Sequence, residues 1–226
     1  MNHDMLPFLP LFLKAAGLTI WLSWLALVIG AVGGALVALA RTSRWLPLRL
    51  LAIVFVEFFR SIPILIVLFF AYFGLPVMFR IDISTFVAAT LALALHATAN
   101  MSEVMRAGIE SVGRGQWEAA QSSGMTFFQA MRHVIVPQAL RVILPPSVGV
   151  YVTTLKESSL ASIIGYVELT KTGLMVRESA GGDFAPLLIL AVLYFLINYS
   201  ISLAGGLLER RYNVGARSML AGAEND

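Results

Sequence analysis

Long hydrophobic runs separated by short polar segments make up the pattern of this chain. Because a bilayer core is about 30 Å thick, a helix needs roughly 20 apolar residues to cross it. Five runs approach or exceed this length and predict membrane-spanning helices, at about 15–40, 50–75, 83–105, 137–155 and 184–208. The pattern therefore predicts an all-α polytopic membrane protein with five transmembrane helices.

The segments between the spans have patterns of their own. Residues 106–136 are moderately polar but contain helix-forming and aromatic residues, which predicts a folded loop between spans three and four. The mixed segment 156–183 is too polar to span and too hydrophobic for a free linker, so a helix at the membrane interface is expected at about 166–176. Residues 212–226 are predicted to be a short disordered tail. The whole chain, 1–226, then forms a single membrane domain.

Composition agrees with this pattern and excludes some chemistry. Hydrophobic residues make up 58% of the 226 residues and charged residues 13%, whereas soluble domains carry about 25% charged residues. Mean hydropathy is +0.82. Since the chain has no cysteine, thiolate metal sites, thiol catalysis and disulfides are excluded. Neither a metal site nor a nucleic-acid partner is predicted.

The positive charges are divided unequally between the two sides that five spans create. The five on one side are Lys14, Arg80, Lys156, Lys171 and Arg177. The ten on the other side are Arg41, Arg44, Arg49, Arg106, Arg114, Arg132, Arg141, Arg210, Arg211 and Arg217. Since loops rich in lysine and arginine stay in the cytoplasm, the N-terminus is predicted outside. The C-terminus and the 106–136 loop are predicted inside.

Small residues on the first span suggest a helix contact. Gly30, Gly33 and Gly34 form a surface that another helix could approach closely. The alternative is that these glycines are tolerated in a helix that faces lipid.

Two charged residues lie inside the second span. Glu57 and Arg60 are one helical turn apart and face the same direction. A charge at this depth costs about 3 kcal/mol or more unless it faces protein or water. The two residues could neutralise each other as a structural pair, or Arg60 could bind a substrate carboxylate in a cavity. Pro63 favours a cavity, because it leaves the carbonyl of Phe59 without its helical partner.

The third span repeats this spacing near its cytoplasmic end. A structural pair is expected between Glu103 and Arg106, since long side chains can reach the interface there. Asn100 and His96 lie one and two turns deeper. They could line the same cavity as Arg60.

Polar residues also mark the outer end of the fourth span. The run Lys156-Glu157-Ser158-Ser159 ends that span, and Glu168 follows in the mixed segment. These outward-facing groups are best placed to contact the ammonium group or a cationic side chain of a substrate. A solvated rim is the alternative for Glu157 and Glu168.

The 106–136 loop contains residues at a characteristic spacing. Glu118-Ala119-Ala120 is followed by Gly124, and later by Val134, Val136 and Pro137. Gly124 interrupts the helix-forming sequence, and Pro137 can begin the next span where its missing N–H costs nothing. The loop is therefore predicted as two short helices around a glycine bend at the membrane surface.

This spacing resembles the cytoplasmic loop of ATP-binding-cassette (ABC) importer permeases, in which E-A-A is followed by a glycine and then by I-x-L-P. Val134 and Val136 are conservative departures from that pattern. In the family this loop is the coupling helix, which docks into a groove on an ATPase subunit. By resemblance, the residues implied to contact the ATPase are Gln116, Glu118, Ala119, Ala120, Gly124 and Met125.

Further runs resemble the branch of these permeases that transports polar amino acids. They are 57–63, 72–76, 103–109, 115–120 and 155–160, in family order. The branch implies five transmembrane helices with the N-terminus outside. Asn100-Met101-Ser102 and Glu157 depart from its commoner residues, so the resemblance does not identify the ligand. The residues predicted to line the substrate pathway are Glu57, Arg60, Ser61, Tyr72, Asn100, Glu157, Ser158 and Glu168.

The resemblance also implies partners in a bacterial inner membrane. They are a cytosolic ABC ATPase dimer, a second permease subunit that is identical or paralogous, an extracytoplasmic amino-acid-binding protein, and membrane lipid. The chain has no G-x-x-x-x-G-K-[ST] loop, since none of its three lysines follows a glycine. ATP and Mg²⁺ are therefore expected on the partner ATPase. This chain is expected to be a non-catalytic permease that transports a polar amino acid by alternating access.

Two other functions compete with this interpretation. An ion-coupled secondary transporter or channel could use the charges in spans two and three. Such a protein is expected to contain an internal inverted repeat, which five unequal spans do not show. An intramembrane enzyme would need a catalytic motif, and the chain has neither H-E-x-x-H nor G-x-S-x-G.

Overall fold

The computed structural model describes residues 5–223. At 208 and 211–223 it describes the backbone without the side chains. This part of the chain contains helices and no strands, which confirms the all-α prediction. After a 3-10 turn at Leu6–Phe8, the helices are α1 (Leu9–Arg41), α2 (Leu46–Ser61), α3 (Ile64–Phe79), α4 (Thr85–Glu110), α5 (Arg114–Ser122), α6 (Phe127–Ser162), α7 (Leu169–Ser179) and α8 (Ala185–Ala223).

Among the described residues, three helices are long and apolar enough to cross a membrane. They are α1, α6 and the first part of α8, and the bent pair α2 and α3 makes a fourth candidate. α4 is 26 residues long but less apolar, because it carries His96 and Asn100. The count of five spans therefore stays a prediction.

α1 and α4 make the most extensive helix contact of the fold. Gly30 and Gly34 of α1 face Ala97 and Met101 of α4, and a Cβ atom added at Gly30 would lie 2.5 Å from the Cβ of Ala97. The prediction of a close helix contact is confirmed, and the lipid-facing alternative is wrong for these two glycines. Gly30 meets Ala97 and, one turn later, Gly34 meets Met101, so residue numbers increase in the same direction along both helices. α1 and α4 therefore run parallel.

The second predicted span is not one helix. α2 and α3 meet at 103°, so the span predicted over 50–75 is broken, and the pair remains a candidate for one span. Pro63 causes the break, because it lacks an N–H and its ring excludes a helical conformation at the preceding residue. Ile62 is accordingly extended, with φ −90° and ψ 134°.

Pro145 and Pro146 lie inside α6. Pro76 and Pro137 also lie inside helices, although the second predicted span ends at 75 and the fourth begins at 137. A π-helical turn comes just before each of them, at Phe70–Gly74 and at Met131–Ile135. In a π turn the N–H bonds to the carbonyl five residues back. This wider turn accommodates a proline ring that would clash with the carbonyl of a regular α-helix. Both helices therefore continue past their prolines.

α6 begins at Phe127, ten residues before the predicted start at Pro137, so the loop is shorter than 106–136. Thr126 accepts a hydrogen bond from the N–H of Gln129 at 3.3 Å. The side chain of Gln129 accepts one from the N–H of Thr126 at 2.9 Å. This reciprocal capping box fixes the start of the helix.

The segment between α6 and α8 contains a packed helix. α7 starts slightly later than the predicted 166–176, and its inner face is buried against α1 and α8. The backbone of α8 is described as far as Ala223, and the disordered tail over 212–226 stays a prediction. Residues 224–226 lie outside the described residues.

Candidate functional site

The turn between α5 and α6 is closed by backbone hydrogen bonds around Gly124. The N–H of Met125, a half-buried residue, donates to the carbonyl of Ala120 at 3.1 Å, and the N–H of Gly124 donates to that of Gln121 at 2.9 Å. These are the two bonds of the Schellman motif, which needs a left-handed residue. Gly124 occupies that position with φ 76°, a conformation that is costly for residues with a side chain. The predicted glycine bend between two helices is confirmed.

The other predicted coupling residues lie on this same turn and on α5. Gln116, Glu118 and Ala119 are exposed, while Ala120 is buried. A Cβ atom added at Gly124 would meet no atom within 4 Å. The loop therefore presents a folded, open surface with a glutamate on it, which is a geometry suited to docking.

α5 is held to α6 on its inner side. The side chain of Gln138 donates to that of Gln116 at 3.1 Å, and Trp117 stacks on Phe127 with ring centroids 5.6 Å apart. Because α6 continues from Phe127 to Ser162, a force on this turn reaches the membrane helix directly.

Glu103 is the centre of a charge cluster that joins three helices. It accepts hydrogen bonds from Arg41 of α1 and from Arg106 of α4, the latter at 2.7 and 3.2 Å. Arg60 of α2 lies 3.7 Å from the same carboxylate, and Arg106 also binds Glu110 at 2.6 Å. The expected Glu103–Arg106 pair is confirmed, and Arg41 and Arg60 are additions from other helices.

The expected alternative of a Glu57–Arg60 pair is wrong. Glu57 is exposed and forms no salt bridge within the described residues. The side chain of Arg60 is 43% exposed, which leaves part of its guanidinium open beyond its contact with Glu103.

A second polar link joins α4 and α6. His96 Nδ1 lies 2.9 Å from an oxygen of Glu157, and both side chains are largely buried. The amide of Asn100 donates to the carbonyl of His96 at 3.1 Å. The structure therefore brings Glu157 to the stretch of α4 that carries His96 and Asn100, two turns and one turn from Glu103.

The remaining pathway candidates lie apart from these two groups. Ser61 is exposed at the end of α2, and Tyr72 packs against the buried core around α3 and α4. Ser158 is fully buried and donates to the carbonyl of Leu155 at 2.7 Å, so it is not outward-facing as predicted.

Glu168 is also not outward-facing, because it is fully buried. Its carboxylate caps α7 by accepting from the N–H groups of Thr170 and Lys171, both at 2.8 Å. The hydroxyl of Tyr194 donates to it at 3.0 Å, and Thr19 of α1 lies 3.5 Å away. Burial raises the pKa of Glu168, while the hydrogen bonds from Thr170, Lys171 and Tyr194 oppose that shift.

We expect Glu168→Ala to destabilise the chain by about 1–2 kcal/mol, because α7 loses its cap, and Glu168→Gln to cost less. The raised pKa means that the native carboxylate binds its proton more tightly than the unfolded one. Its contribution to stability is therefore complete at low pH and is lost as pH rises through the raised value. Unfolding temperatures measured in detergent should show the wild type losing stability relative to Glu168→Gln as pH increases. A constant difference across pH would contradict this.

A polar pocket between α6, α7 and α8 was missed by the sequence reasoning. Its volume is about 520 Å³, and it is lined in part by Lys156, Thr170, Asn198 and Ser202. Lys156 is exposed and forms no salt bridge within the described residues. The Oδ1 atom of Asn198 is buried without a hydrogen-bond partner. The available signal was an asparagine within a span, where polar groups are expensive.

Helices apolar enough to cross a membrane, polar groups between them and a folded, exposed turn together define a helical membrane protein. The family described as "Binding-protein-dependent transport system inner membrane component" matches residues 30–214. The chain belongs to this family, and the resemblance inferred from Glu118-Ala119-Ala120 and Gly124 is confirmed.

Curated relatives match almost the whole chain. The probable amino-acid ABC transporter permease protein YckA of Bacillus subtilis (strain 168) is 36% identical, over 90% of this chain and 89% of that protein. The glutamine transport system permease protein GlnP of Escherichia coli (strain K12) is 35% identical, over 92% and 95%.

Solved structures show the same fold. A crystal structure of an amino acid ABC transporter with histidines matches with a TM-score of 0.86 and 38% identity, over 93% of this chain and 100% of that one. An inward-facing structure of the MetNI methionine ABC transporter matches with a TM-score of 0.78, over 94% and 99%. Its identity is 21%, so it supports the fold alone.

Proposed function

We propose that this chain is the permease subunit of an ATP-driven importer for a polar amino acid. The observation that carries the proposal is the exposed turn at Gly124, which joins directly to membrane helix α6. Relatives that match nearly end to end are permeases for amino acids, including glutamine, and they support this substrate class.

The proposed mechanism is alternating access driven by a cytosolic ATPase dimer. Closure of that dimer moves the region from Gln116 to Phe128, and α6 moves with it because Gln116 and Trp117 hold α5 to α6. The tilt of α6 then changes its contacts with α4, where Glu157 meets His96. The chain itself carries no phosphate-binding loop, so ATP and Mg²⁺ belong to the ATPase.

The proposed topology has five spans, with the N-terminus outside and the C-terminus in the cytoplasm of a bacterial inner membrane. The parallel α1 and α4 support it, since α2 and α3 must together return the chain across the membrane between them. α4 and α6 run antiparallel, because Gly108 meets Ile143 while His96 meets Glu157. α8 reverses again. The ten-to-five charge distribution supports a cytoplasmic position for the Gly124 turn.

The assembly proposed around this chain follows from its family. A second permease, identical or paralogous, completes the pathway, and an extracytoplasmic binding protein delivers the amino acid. Arg60, Asn100 and Glu157 remain candidates for the pathway, because each has a partly accessible side chain on or beside α4.

The pocket between α6 and α8 is the proposed contact for the substrate backbone. Lys156 is exposed, forms no salt bridge within the described residues, and offers its ammonium to the carboxylate that every amino acid carries. Arg60 is less suited to binding the substrate carboxylate than the sequence suggests, because the carboxylate of Glu103 lies 3.7 Å from its guanidinium and partly neutralises it.

We expect Lys156→Gln to raise the KM of amino acid uptake about tenfold, because a charged hydrogen bond to the carboxylate is lost. Lys171→Gln is the matched control, since Lys171 lies on the same predicted side but does not line the pocket. Uptake by membrane vesicles measures both. Equal KM values for the two variants would contradict the assignment of Lys156.

The experiment that tests the proposed function is purification of the tagged chain from its native membrane, with identification of the accompanying proteins by mass spectrometry. An ABC ATPase in about equal amount should be recovered, and it should be lost on substitution of Glu118. A preparation without an ATPase that still carries out ion-driven uptake would overturn the proposal.

A further inference from the structure

A large apolar groove lies between the end of α1, the start of α2 and the α5–α6 turn. Its volume is about 1130 Å³, and twelve of its sixteen lining residues are apolar. Leu36 and Leu39 of α1 line it together with Leu48 and Phe55 of α2, and Trp117 lies at the end formed by the turn. Ordinary small-ligand pockets reach about 1,000 Å³, so the groove has room for a larger, chain-like ligand.

The polar residues of the groove come mainly from one place, the connection between α1 and α2. Thr42, Ser43 and Arg44 lie there, and none of the sixteen lining residues is acidic. Arg44 is exposed and forms no salt bridge within the described residues. The hydroxyl of Ser43 accepts from the N–H of Trp45 at 3.1 Å, so its own proton is free to donate.

We propose that this groove binds an anionic phospholipid of the cytoplasmic leaflet. Its acyl chains lie along the apolar walls of α1 and α2, and its phosphate lies beside Arg44 and the hydroxyl of Ser43. An apolar surface ending in an unpaired cation matches the two parts of such a lipid. The inner-leaflet position rests on the same charge distribution as the proposed topology.

Lipid fits this groove better than a second protein does. A protein segment would bring backbone N–H and carbonyl groups against walls with few polar partners, and such groups are costly to bury unpaired. Acyl chains have no such groups. The exposed Phe127 and Phe128 at the turn also extend the apolar surface without adding a hydrogen-bond partner.

A lipid in this position contacts both the α1–α2 hairpin and the turn that carries Gly124. It would therefore connect the docking surface to the membrane helices through a second route besides α6. Transport should then depend on anionic lipid even where the permease and the ATPase remain assembled.

The test is native mass spectrometry of the purified, delipidated transporter titrated with phosphatidylglycerol or phosphatidylcholine. Arg44→Gln should weaken phosphatidylglycerol binding about fivefold, because one arginine near an anionic headgroup is lost. Phosphatidylcholine binding should weaken less, because its choline cation offsets the charge of its phosphate. Arg49→Gln is the matched control, since Arg49 is exposed close by on α2 but does not line the groove. Leu48→Trp, which fills the groove, should weaken binding of both lipids.

Two results would overturn the proposal. One is an equal loss of phosphatidylglycerol from Arg44→Gln and Arg49→Gln, which would show only general attraction to a positive surface. The other is a Leu48→Trp variant that keeps its lipid but loses the ATPase or a second permease from the same spectra. That result would identify the groove as a protein interface. Neither result depends on whether the chain transports an amino acid.

Discussion

Replacing Glu103 with glutamine should destabilise the folded chain by about 2–3 kcal/mol. Removing one partner of a buried ion pair costs about 3–5 kcal/mol, and the side chain of Glu103 retains 19% exposure, so a smaller value is expected. The reason is that Arg41, Arg60 and Arg106 all meet at this carboxylate. Without its charge, three cations from three helices repel each other, and one of the two acceptor oxygens is replaced by an NH2 donor.

Glu110→Gln is the matched control for this prediction. Glu110 also accepts a hydrogen bond from Arg106, at 2.6 Å. Its side chain is 58% exposed and forms no salt bridge to a second arginine within the described residues. Solvent-exposed salt bridges contribute about 0.2–1 kcal/mol to the free energy of unfolding. Chemical unfolding in detergent should therefore separate the two variants clearly. Equal losses of stability would show that Glu103 does not hold α1, α2 and α4 together.

Features set by neighbouring residues could be predicted from the sequence. The Glu103–Arg106 pair follows from helical spacing alone, because residues three apart share a face. The bend at Gly124 follows from glycine's access to the left-handed conformation between two helix-forming segments. In both places the information is local, and the structure agrees.

Features set by distant residues could not be predicted in this way. Helical spacing pairs Arg60 with Glu57, but the break at Pro63 and the packing of α2 on α4 bring Arg60 to Glu103 instead. Glu168 carries no local sign of burial, since its partner Tyr194 comes from another helix. A charged residue in the sequence therefore indicates that a partner exists without identifying it.

The prolines show a second limit. Pro63 breaks a helix, whereas Pro76 and Pro137 are accommodated by π turns that come before them. The residue type is the same, and what differs is the π turn that comes before Pro76 and Pro137. The hydrophobic pattern does not show where such a turn forms, so the ends of α3 and α6 were misplaced.

Replacing Gly124 with valine should reduce amino acid uptake about tenfold or more while the chain still inserts into the membrane. The left-handed conformation is less stable by about 1–2 kcal/mol for a residue with a Cβ atom, and a β-branched side chain such as that of valine rarely adopts it. The bonds from Met125 to Ala120 and from Gly124 to Gln121 would then be lost in part of the population. The turn lies at the proposed ATPase contact, so its shape matters for coupling far more than for stability.

Gly124→Asn separates the two reasons for which a glycine could be needed here. Asparagine enters the left-handed conformation readily, and a Cβ atom at this position meets no described atom within 4 Å. If the requirement is conformational, the asparagine variant should transport nearly as well as the wild type, with the valine variant far below both. Uptake and ATP hydrolysis measured on the same vesicles would show whether the valine variant hydrolyses ATP without transport. Equal losses in both variants would show instead that the ATPase leaves no room for any side chain at this turn, and normal uptake in both would remove Gly124 from the coupling surface.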